Sequence, residues 1–97
     1  MRYEIILAPE AVQDMHRLPA RDRSRIREAL ERHLRYEPSK ESRTSIKRLR
    51  GIVRPQYRLR VGEFRVFYDV SQSSVEILAV VPKSQVEGWL KDIGGQQ

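Results

Sequence analysis

The sequence predicts a single α+β domain, in which helices pack on one face of a mostly antiparallel sheet. Helical periodicity is confined to the first third of the chain and to a short stretch near the C-terminus. The region between them is a succession of alternating β segments. The 97 residues fit one domain, residues 1–97, with a modest hydrophobic core. The predicted order of elements is β-α-α-β-β-β-α.

The first third of the chain, residues 1–36, is predicted to form a strand followed by a helical hairpin. Alternating apolar side chains indicate a strand over residues 2–8. Pro9 then stands where the first turn of a helix accepts proline, and Pro19 closes that helix. A second helix is predicted over about residues 20–36, with an apolar stripe facing the sheet. The residues of this stripe are Ile26, Leu30 and Leu34.

The second half of the chain, residues 48–81, is predicted to form a basic β-meander after a polar loop over residues 39–47. Two alternating segments, residues 57–61 and 64–70, flank the dipeptide Gly62-Glu63. This dipeptide fits a two-residue hairpin loop, with glycine at the first central position of a type II′ turn.

A nearly apolar segment and a short helix follow the hairpin. Residues 75–81 contain one polar side chain, Glu76, which is typical of a central strand covered on both faces. A short C-terminal helix is predicted over residues 84–93, because Ser84 and Glu87 have the spacing of a capping box.

The positive charge of the protein is concentrated in one stretch. The formal net charge is +6, and residues 43–65 alone carry eight cationic side chains against Glu63. Seven of the eight are arginine, whose planar guanidinium suits phosphate oxygens. The stretch therefore predicts a polyanionic or acidic partner, because a local charge of this size repels itself without one. A solvated basic surface, or a docking face for an acidic protein, is the alternative interpretation.

The predicted turn places several arginines on one side of the hairpin. With Gly62-Glu63 as the loop, Arg60 faces Arg65 and Arg58 faces Phe67. Like charges opposed across two strands repel, and a fold carries such a conflict most readily where an anion resolves it. These residues therefore predict a phosphate site, with the Phe67 ring available for a base to stack on. In the alternative interpretation, neighbouring carboxylates neutralise the arginines on a solvated edge.

Several classes of site are missing from the sequence. There is no cysteine, which excludes disulfides and thiolate metal sites, and no Gly-rich phosphate loop or zinc spacing. His16 and His33 fall on different predicted helices, so no metal or other cofactor is expected. No stretch approaches about 18 consecutive apolar residues, and no cleavable leader is expected before the first strand. The expected location is the cytoplasm, without membrane attachment.

Three segments together resemble the RelE/ParE family of toxins from type II toxin–antitoxin systems. They are Leu7-Ala8-Pro9-Glu10-Ala11, Leu49-Arg50-Gly51, and the hairpin sequence from Tyr57 to Tyr68. The resemblance implies a compact α+β fold and a cognate antitoxin protein as partner. It also implies one of two targets: the RelE branch cleaves mRNA in the ribosomal A site, whereas the ParE branch inhibits DNA gyrase.

The resemblance also assigns roles to individual residues. The cations that orient the RNA and stabilise the attacked phosphate correspond to Arg58, Arg60 and Arg65. Many members carry an arginine or histidine, and then a tyrosine, after the last strand. This sequence departs from that pattern: Lys83 is the candidate for proton transfer, and Glu87 and Trp89 are candidates for acid–base work or stacking. The further candidates for RNA contact are Lys47, Arg48, Arg50, Arg54 and Phe67.

The leading functional hypothesis is a metal-independent, ribosome-dependent mRNA endoribonuclease that inhibits translation, with the ribosome and mRNA as further partners. The first alternative is a ParE-like inhibitor of DNA gyrase. The second is a nucleic-acid-binding module without catalysis.

Overall fold

The computed structural model describes residues 1–95 and confirms the α+β fold class. The predicted elements appear in the predicted order. One further strand of three residues, Ile46–Arg48, precedes the hairpin and overlaps the end of the stretch predicted as a loop. A single 3-10 turn, Lys83–Gln85, leads into the last helix. In chain order the elements are β1 (Glu4–Leu7), α1 (Pro9–His16), α2 (Ala20–Leu34), β2 (Ile46–Arg48), β3 (Tyr57–Val61), β4 (Phe64–Val70), β5 (Ser74–Pro82) and α3 (Val86–Gly95).

The strands form one mixed sheet in the order β1-β5-β4-β3-β2. β1 pairs with β5 in parallel, and the remaining neighbours pair antiparallel. The parallel pair is possible because α1 and α2 carry the chain across the sheet between β1 and the meander. β5 lies between β1 and β4, which confirms the central position predicted from its nearly apolar sequence.

One face of the sheet, called the helical face, packs against α1 and α2. The helices place their apolar stripes on the alternate side chains of β3, β4 and β5 that point to this side. Arg35, after the end of α2, fixes the two layers together: its backbone C=O accepts from the Tyr3 N–H, and its guanidinium donates to the Tyr3 C=O. The fully or nearly fully buried core residues are Ala11, Met15, Ile26, Leu30, Leu34, Ile46, Tyr57, Leu59, Val61, Val66, Tyr68, Val75, Ile77 and Val80.

The last helix does not join the other two. Apolar residues of α3 pack on Phe67, Ala79 and Val81, which point away from the helical face. The expectation that the helices share one face is therefore wrong for α3, because the opposite face carries a small apolar patch of its own that needs cover. No helix within residues 1–95 is long and apolar enough to cross a membrane.

The predicted capping box is also wrong. Ser84 lies inside the 3-10 turn, so it does not stand at an N-cap position, and α3 begins at Val86. The turn is attached instead through its backbone, because the Lys83 N–H donates to the C=O of Glu63 at 2.7 Å. This contact brings the start of the C-terminal segment beside the β3–β4 turn.

Candidate nucleic-acid interface

The β3–β4 hairpin has the predicted register. Arg60 lies opposite Arg65, and Arg58 lies opposite Phe67. Gly62 has φ +56°, and Glu63, like the other described non-glycine residues, does not have a positive φ. This combination fits a type II′ turn, which needs glycine at its first central position and accepts an ordinary residue at the second. The prediction that the three arginines share one side of the sheet is therefore confirmed. That side is called the arginine face, and the Gly62-Glu63 turn is called the hairpin tip.

The short strand β2 adds a fourth cation to this face. Lys47 lies directly opposite Arg58, so its side chain points to the same side of the sheet. Lys47 and Arg60 are exposed, and Arg58 is half-buried. Lys47, Arg58, Arg60 and Arg65 are called the cationic cluster. No strong pattern in the sequence predicts β2, because its three residues stand in a polar stretch.

The cationic cluster contains charges that the protein itself leaves uncompensated. Arg65 is only 7% exposed, and its Nη1 donates to the C=O groups of Gly62 and Phe64, both at 2.9 Å. Within residues 1–95, no carboxylate forms a salt bridge with Arg65. Burial lowers the pKa of the half-buried Arg58, and the charges of Arg65 and Arg60 lower it further. The Nε of Arg58 is buried without a hydrogen-bond partner.

The aromatic residue of this face is not available to a base. Phe67 has no exposed surface, and the Trp89 ring of α3 stacks on it at 4.5 Å between centroids and 15° between planes. The prediction that Phe67 offers a stacking platform is therefore wrong, since the helix has already covered that ring. Trp89 is itself half-buried in this contact, so its position is explained by packing.

The other predicted RNA-contacting cations lie away from the cluster. Arg54 forms salt bridges with Asp69 at 2.7 Å and Glu76 at 2.6 Å, which neutralise it. Arg48 points to the helical side of β2: its Nη1 donates to the Tyr57 hydroxyl at 3.1 Å, and its guanidinium lies 5.1 Å from the centroid of that ring. Arg50 is exposed in the loop after β2. The structure thus brings Lys47 to the site and directs Arg48 and Arg54 elsewhere.

The two candidates for proton transfer have different surroundings. Lys83 is exposed beside the hairpin tip, where it lines a shallow cleft with Glu63, Pro82 and Ser84. Glu87 is exposed on the first turn of α3. In residues 1–95, no group of three or more histidine, aspartate or glutamate side chains is placed to hold a metal.

One cation at the site was missed by the sequence analysis. A Cβ added at Gly62 would lie 3.0 Å from Nη2 and 3.6 Å from Cζ of Arg25, so this guanidinium packs directly against the hairpin tip. Arg25 belongs to α2, which contains five arginines and three acidic residues. Nothing in the sequence distinguishes Arg25 from the four other arginines of that helix, and no local pattern marks its contact with a turn far along the chain.

Known protein families and solved structures include relatives of this chain. A family model described as "ParE toxin of type II toxin-antitoxin system, parDE" matches residues 5–87. No curated protein matches the chain. The RelE-RelB complex from Pyrococcus horikoshii contains a similar chain, at 27% identity and a TM-score of 0.65, covering 88% of this chain and 99% of that one.

Two further solved structures are similar. The RelBE2 toxin–antitoxin complex from Mycobacterium tuberculosis matches at 27% identity and a TM-score of 0.67, covering 84% of this chain and 99% of that one. The RelB-RelE complex from Methanococcus jannaschii, at 23% identity and a TM-score of 0.67, covers 87% and 96% of the two chains and shows the same fold. The family model spans most of the sequence, and the solved structures share the fold of this chain. The chain therefore belongs to the RelE/ParE superfamily of toxins of type II toxin–antitoxin systems.

Proposed function

We propose that this toxin is an endoribonuclease that cleaves messenger RNA on the ribosome, with the cationic cluster holding the phosphate that is attacked. The observation that carries the proposal is the burial of Arg65, 7% exposed, across from Arg60 and beside Arg58 without a carboxylate partner in the described chain. A buried charge without a counter-ion is costly to the fold. An RNA phosphate at this place removes that cost.

The chemistry suits a site built from arginines. The 2′-oxygen of one nucleotide bonds to the neighbouring phosphorus, the bond from phosphorus to the 5′-oxygen breaks, and a 2′,3′-cyclic phosphate and a 5′-hydroxyl result. Negative charge develops on the phosphate oxygens along the way, and preorganised guanidinium groups stabilise it. No metal or other cofactor takes part in this scheme.

The residues divide this work according to their exposure. Lys47 and Arg60 are exposed and contact the RNA backbone, whereas Arg65 is held by two backbone carbonyls and stabilises the transition state from a fixed position. Arginine remains protonated at neutral pH and transfers protons poorly. Lys83, beside the hairpin tip, therefore donates the proton to the leaving 5′-oxygen, and solvent accepts the proton of the 2′-hydroxyl.

A cognate antitoxin is the second proposed partner. The similar chains from Pyrococcus horikoshii and Mycobacterium tuberculosis are found in toxin–antitoxin complexes. The uncompensated charge of the arginine face suits an antitoxin segment with acidic side chains, which neutralises the cluster and excludes RNA. Electrostatic steering then makes association fast at low salt and slower as the ionic strength rises.

The nuclease proposal is tested with mRNA programmed into ribosomes and with free RNA alongside. The wild type is expected to cut the ribosome-bound message, and the double variant Arg58→Gln/Arg60→Gln is expected to cut neither RNA. Arg27→Gln is a control that removes an exposed arginine from α2. A wild type that arrests growth and leaves both RNAs intact would contradict the proposal, and so would a double variant with full activity.

Inhibition of DNA gyrase is the second candidate function. The description of the matching family model, which names ParE toxins, favours it. So does the stretch after β5, which lacks the arginine or histidine and the tyrosine of RelE-type nucleases. A supercoiling assay with purified gyrase separates the two functions: inhibition of supercoiling, together with intact mRNA, would replace the nuclease by the gyrase inhibitor.

A further inference from the structure

Two arginines from different layers of the fold contact the same glycine. Nη1 of Arg65 donates to the C=O of Gly62 at 2.9 Å, from the arginine face of the sheet. The guanidinium of Arg25 reaches the Cα side of the same residue from α2, in the helical layer, 3.0 Å from the position that a Cβ would occupy. Glycine leaves room for this approach, since any larger side chain would meet the guanidinium.

The Arg25 guanidinium lies against the hairpin tip, and no group of the described protein binds it there. It is exposed, and in the described chain it has neither a hydrogen bond nor a salt bridge, although Asp22 and Glu28 stand one helical turn away on either side. A guanidinium carries five N–H donors, and the Cα of a glycine offers no acceptor to them. The donors of Arg25 are therefore free to bind an external anion.

The hairpin tip is thus bordered by cations from three elements. Arg25 comes from α2, Arg65 from β4, and Lys83 from the 3-10 turn, whose backbone N–H donates to the Glu63 C=O at 2.7 Å. Glu63 is the acidic residue of the turn, and its single charge does not balance the three. The cationic surface therefore continues around the tip, beyond the arginine face.

We propose that Arg25 is a further RNA-binding residue, which contacts a backbone phosphate next to the one held by the cationic cluster. This inference rests on the proposed function and extends it: the protein binds a run of successive phosphates of one strand, from the arginine face around the hairpin tip. Arg25 is not a catalytic residue, because it contacts the tip from the side opposite to the cluster.

The test measures binding to RNA that cannot be cut. Oligonucleotides with 2′-O-methyl groups lack the attacking hydroxyl, and fluorescence anisotropy gives the dissociation constant over a range of salt concentrations. Arg25→Gln is expected to weaken binding of an eight-nucleotide strand by about threefold to tenfold at low salt, and to reduce the slope of log K against log salt by about 0.7, the value for one phosphate contact on a single strand. A dinucleotide without terminal phosphates has a single phosphate and cannot occupy both places, so it is expected to bind Arg25→Gln as tightly as it binds the wild type.

Matched variants separate a local contact from the loss of net charge and from a structural role. Arg27→Gln removes the same charge from an exposed position two residues along α2 and is expected to change binding less than twofold. Arg25→Lys is expected to keep the salt slope, since lysine also pairs with phosphate. Equal effects of Arg25→Gln and Arg27→Gln would overturn the inference. So would an equal loss of affinity for the long and short strands accompanied by a lower melting temperature, because Arg25 would then only brace the turn.

The proposed function fails in a different way. If the wild type binds the eight-nucleotide strand no more tightly than Arg58→Gln/Arg60→Gln does, the cationic cluster is not an RNA site, and the role of Arg25 falls with it. If the cluster variants lose binding and Arg25→Gln does not, the proposed function stands and only the extension around the tip is wrong.

Discussion

Arginines at the two ends of the β3–β4 hairpin have opposite surroundings. At the tip, Arg60 and Arg65 face each other without a carboxylate partner in the described chain. At the other end, Arg54 lies between Asp69 and Glu76 and donates to both. All belong to the same basic stretch of the sequence. The difference comes from Asp69 of β4 and Glu76 of β5, which neutralise Arg54, whereas no carboxylate of the described chain forms a salt bridge with Arg60 or Arg65.

The largest effect is expected at the tip, on the chemical step. Arg65→Ala should reduce cleavage of ribosome-bound mRNA by about 10²–10³-fold, the usual loss when one preorganised electrostatic contact to a transition state is removed. The buried guanidinium also anchors the turn through the Gly62 and Phe64 carbonyls, so its removal affects both charge and position. Single-turnover cleavage at saturating ribosome concentration measures this loss.

Arg65→Lys tests whether charge alone is sufficient. In Arg65, one guanidinium nitrogen donates to the carbonyls of the turn while the other nitrogens can donate to a phosphate. An ammonium group cannot reproduce this geometry, so little cleavage activity should return. Recovery to within threefold of the wild type would show that position is unimportant. The functional difference between the two ends of the hairpin would then depend on net charge alone.

The second effect concerns stability at the opposite end. Arg54→Gln should lower the free energy of unfolding by about 1 kcal/mol, the upper range for exposed ion pairs, because two carboxylates lose their shared partner. In a domain of this size, a loss of about 1 kcal/mol corresponds to a melting temperature lower by about 4–8 °C. RNA cleavage should be unchanged when it is measured well below that temperature. Reduced cleavage at unchanged stability would place Arg54 among the functional cations.

The third prediction is an increase in stability on removal of an arginine. The pKa of Arg58 is lowered by burial and by the neighbouring arginines, so the folded protein binds this proton more weakly than the unfolded chain does. The charged side chain therefore costs folding free energy at every pH below that lowered pKa, and the cost disappears only above the ordinary pKa of arginine. Arg58→Met should raise the free energy of unfolding by about 0.5 kcal/mol, a value discounted because the side chain is partly exposed.

The same variant should bind RNA more weakly, because it removes one cation of the cluster. Urea denaturation at pH 7 measures the stability, and anisotropy with an uncuttable oligonucleotide measures the binding. Stabilisation together with weaker binding is the expected trade-off at a functional site. A destabilised Arg58→Met protein would show that the arginine contributes packing to the fold.

The smallest effect is expected on α3. Glu87→Gln makes the net charge more positive by one, at an exposed position outside the cationic cluster. If RNA binding depends on local contacts, its affinity should change less than twofold, and the free energy of unfolding should change by under about 0.5 kcal/mol, as is usual for surface substitutions. The dissociation constants of Glu87→Gln and Arg58→Met for RNA, measured over the same range of salt concentrations, are compared. A stronger gain in affinity would indicate that net charge, and not the cluster, governs binding.

Local patterns predicted most of this fold. The alternation on both sides of Gly62-Glu63 fixed the register of the hairpin, because a two-residue turn permits one pairing and a slip of one residue would expose the core. The central position of β5 followed from its apolar sequence. Strand β2 was missed because three residues in a polar stretch have no period of their own, and they become a strand only by pairing with β3.

In the candidate site, too, some features follow from local patterns and others do not. Local patterns were enough to place Arg58, Arg60 and Arg65 on one face, since strand periodicity and turn chemistry act between near neighbours. Three further features of the site come from the packing of distant segments: Trp89 covers Phe67, Asp69 and Glu76 neutralise Arg54, and Arg25 reaches Gly62. These three contacts join residues that are far apart in the chain. They are set by how the layers pack, and no local pattern of charge or hydrophobicity predicts that packing.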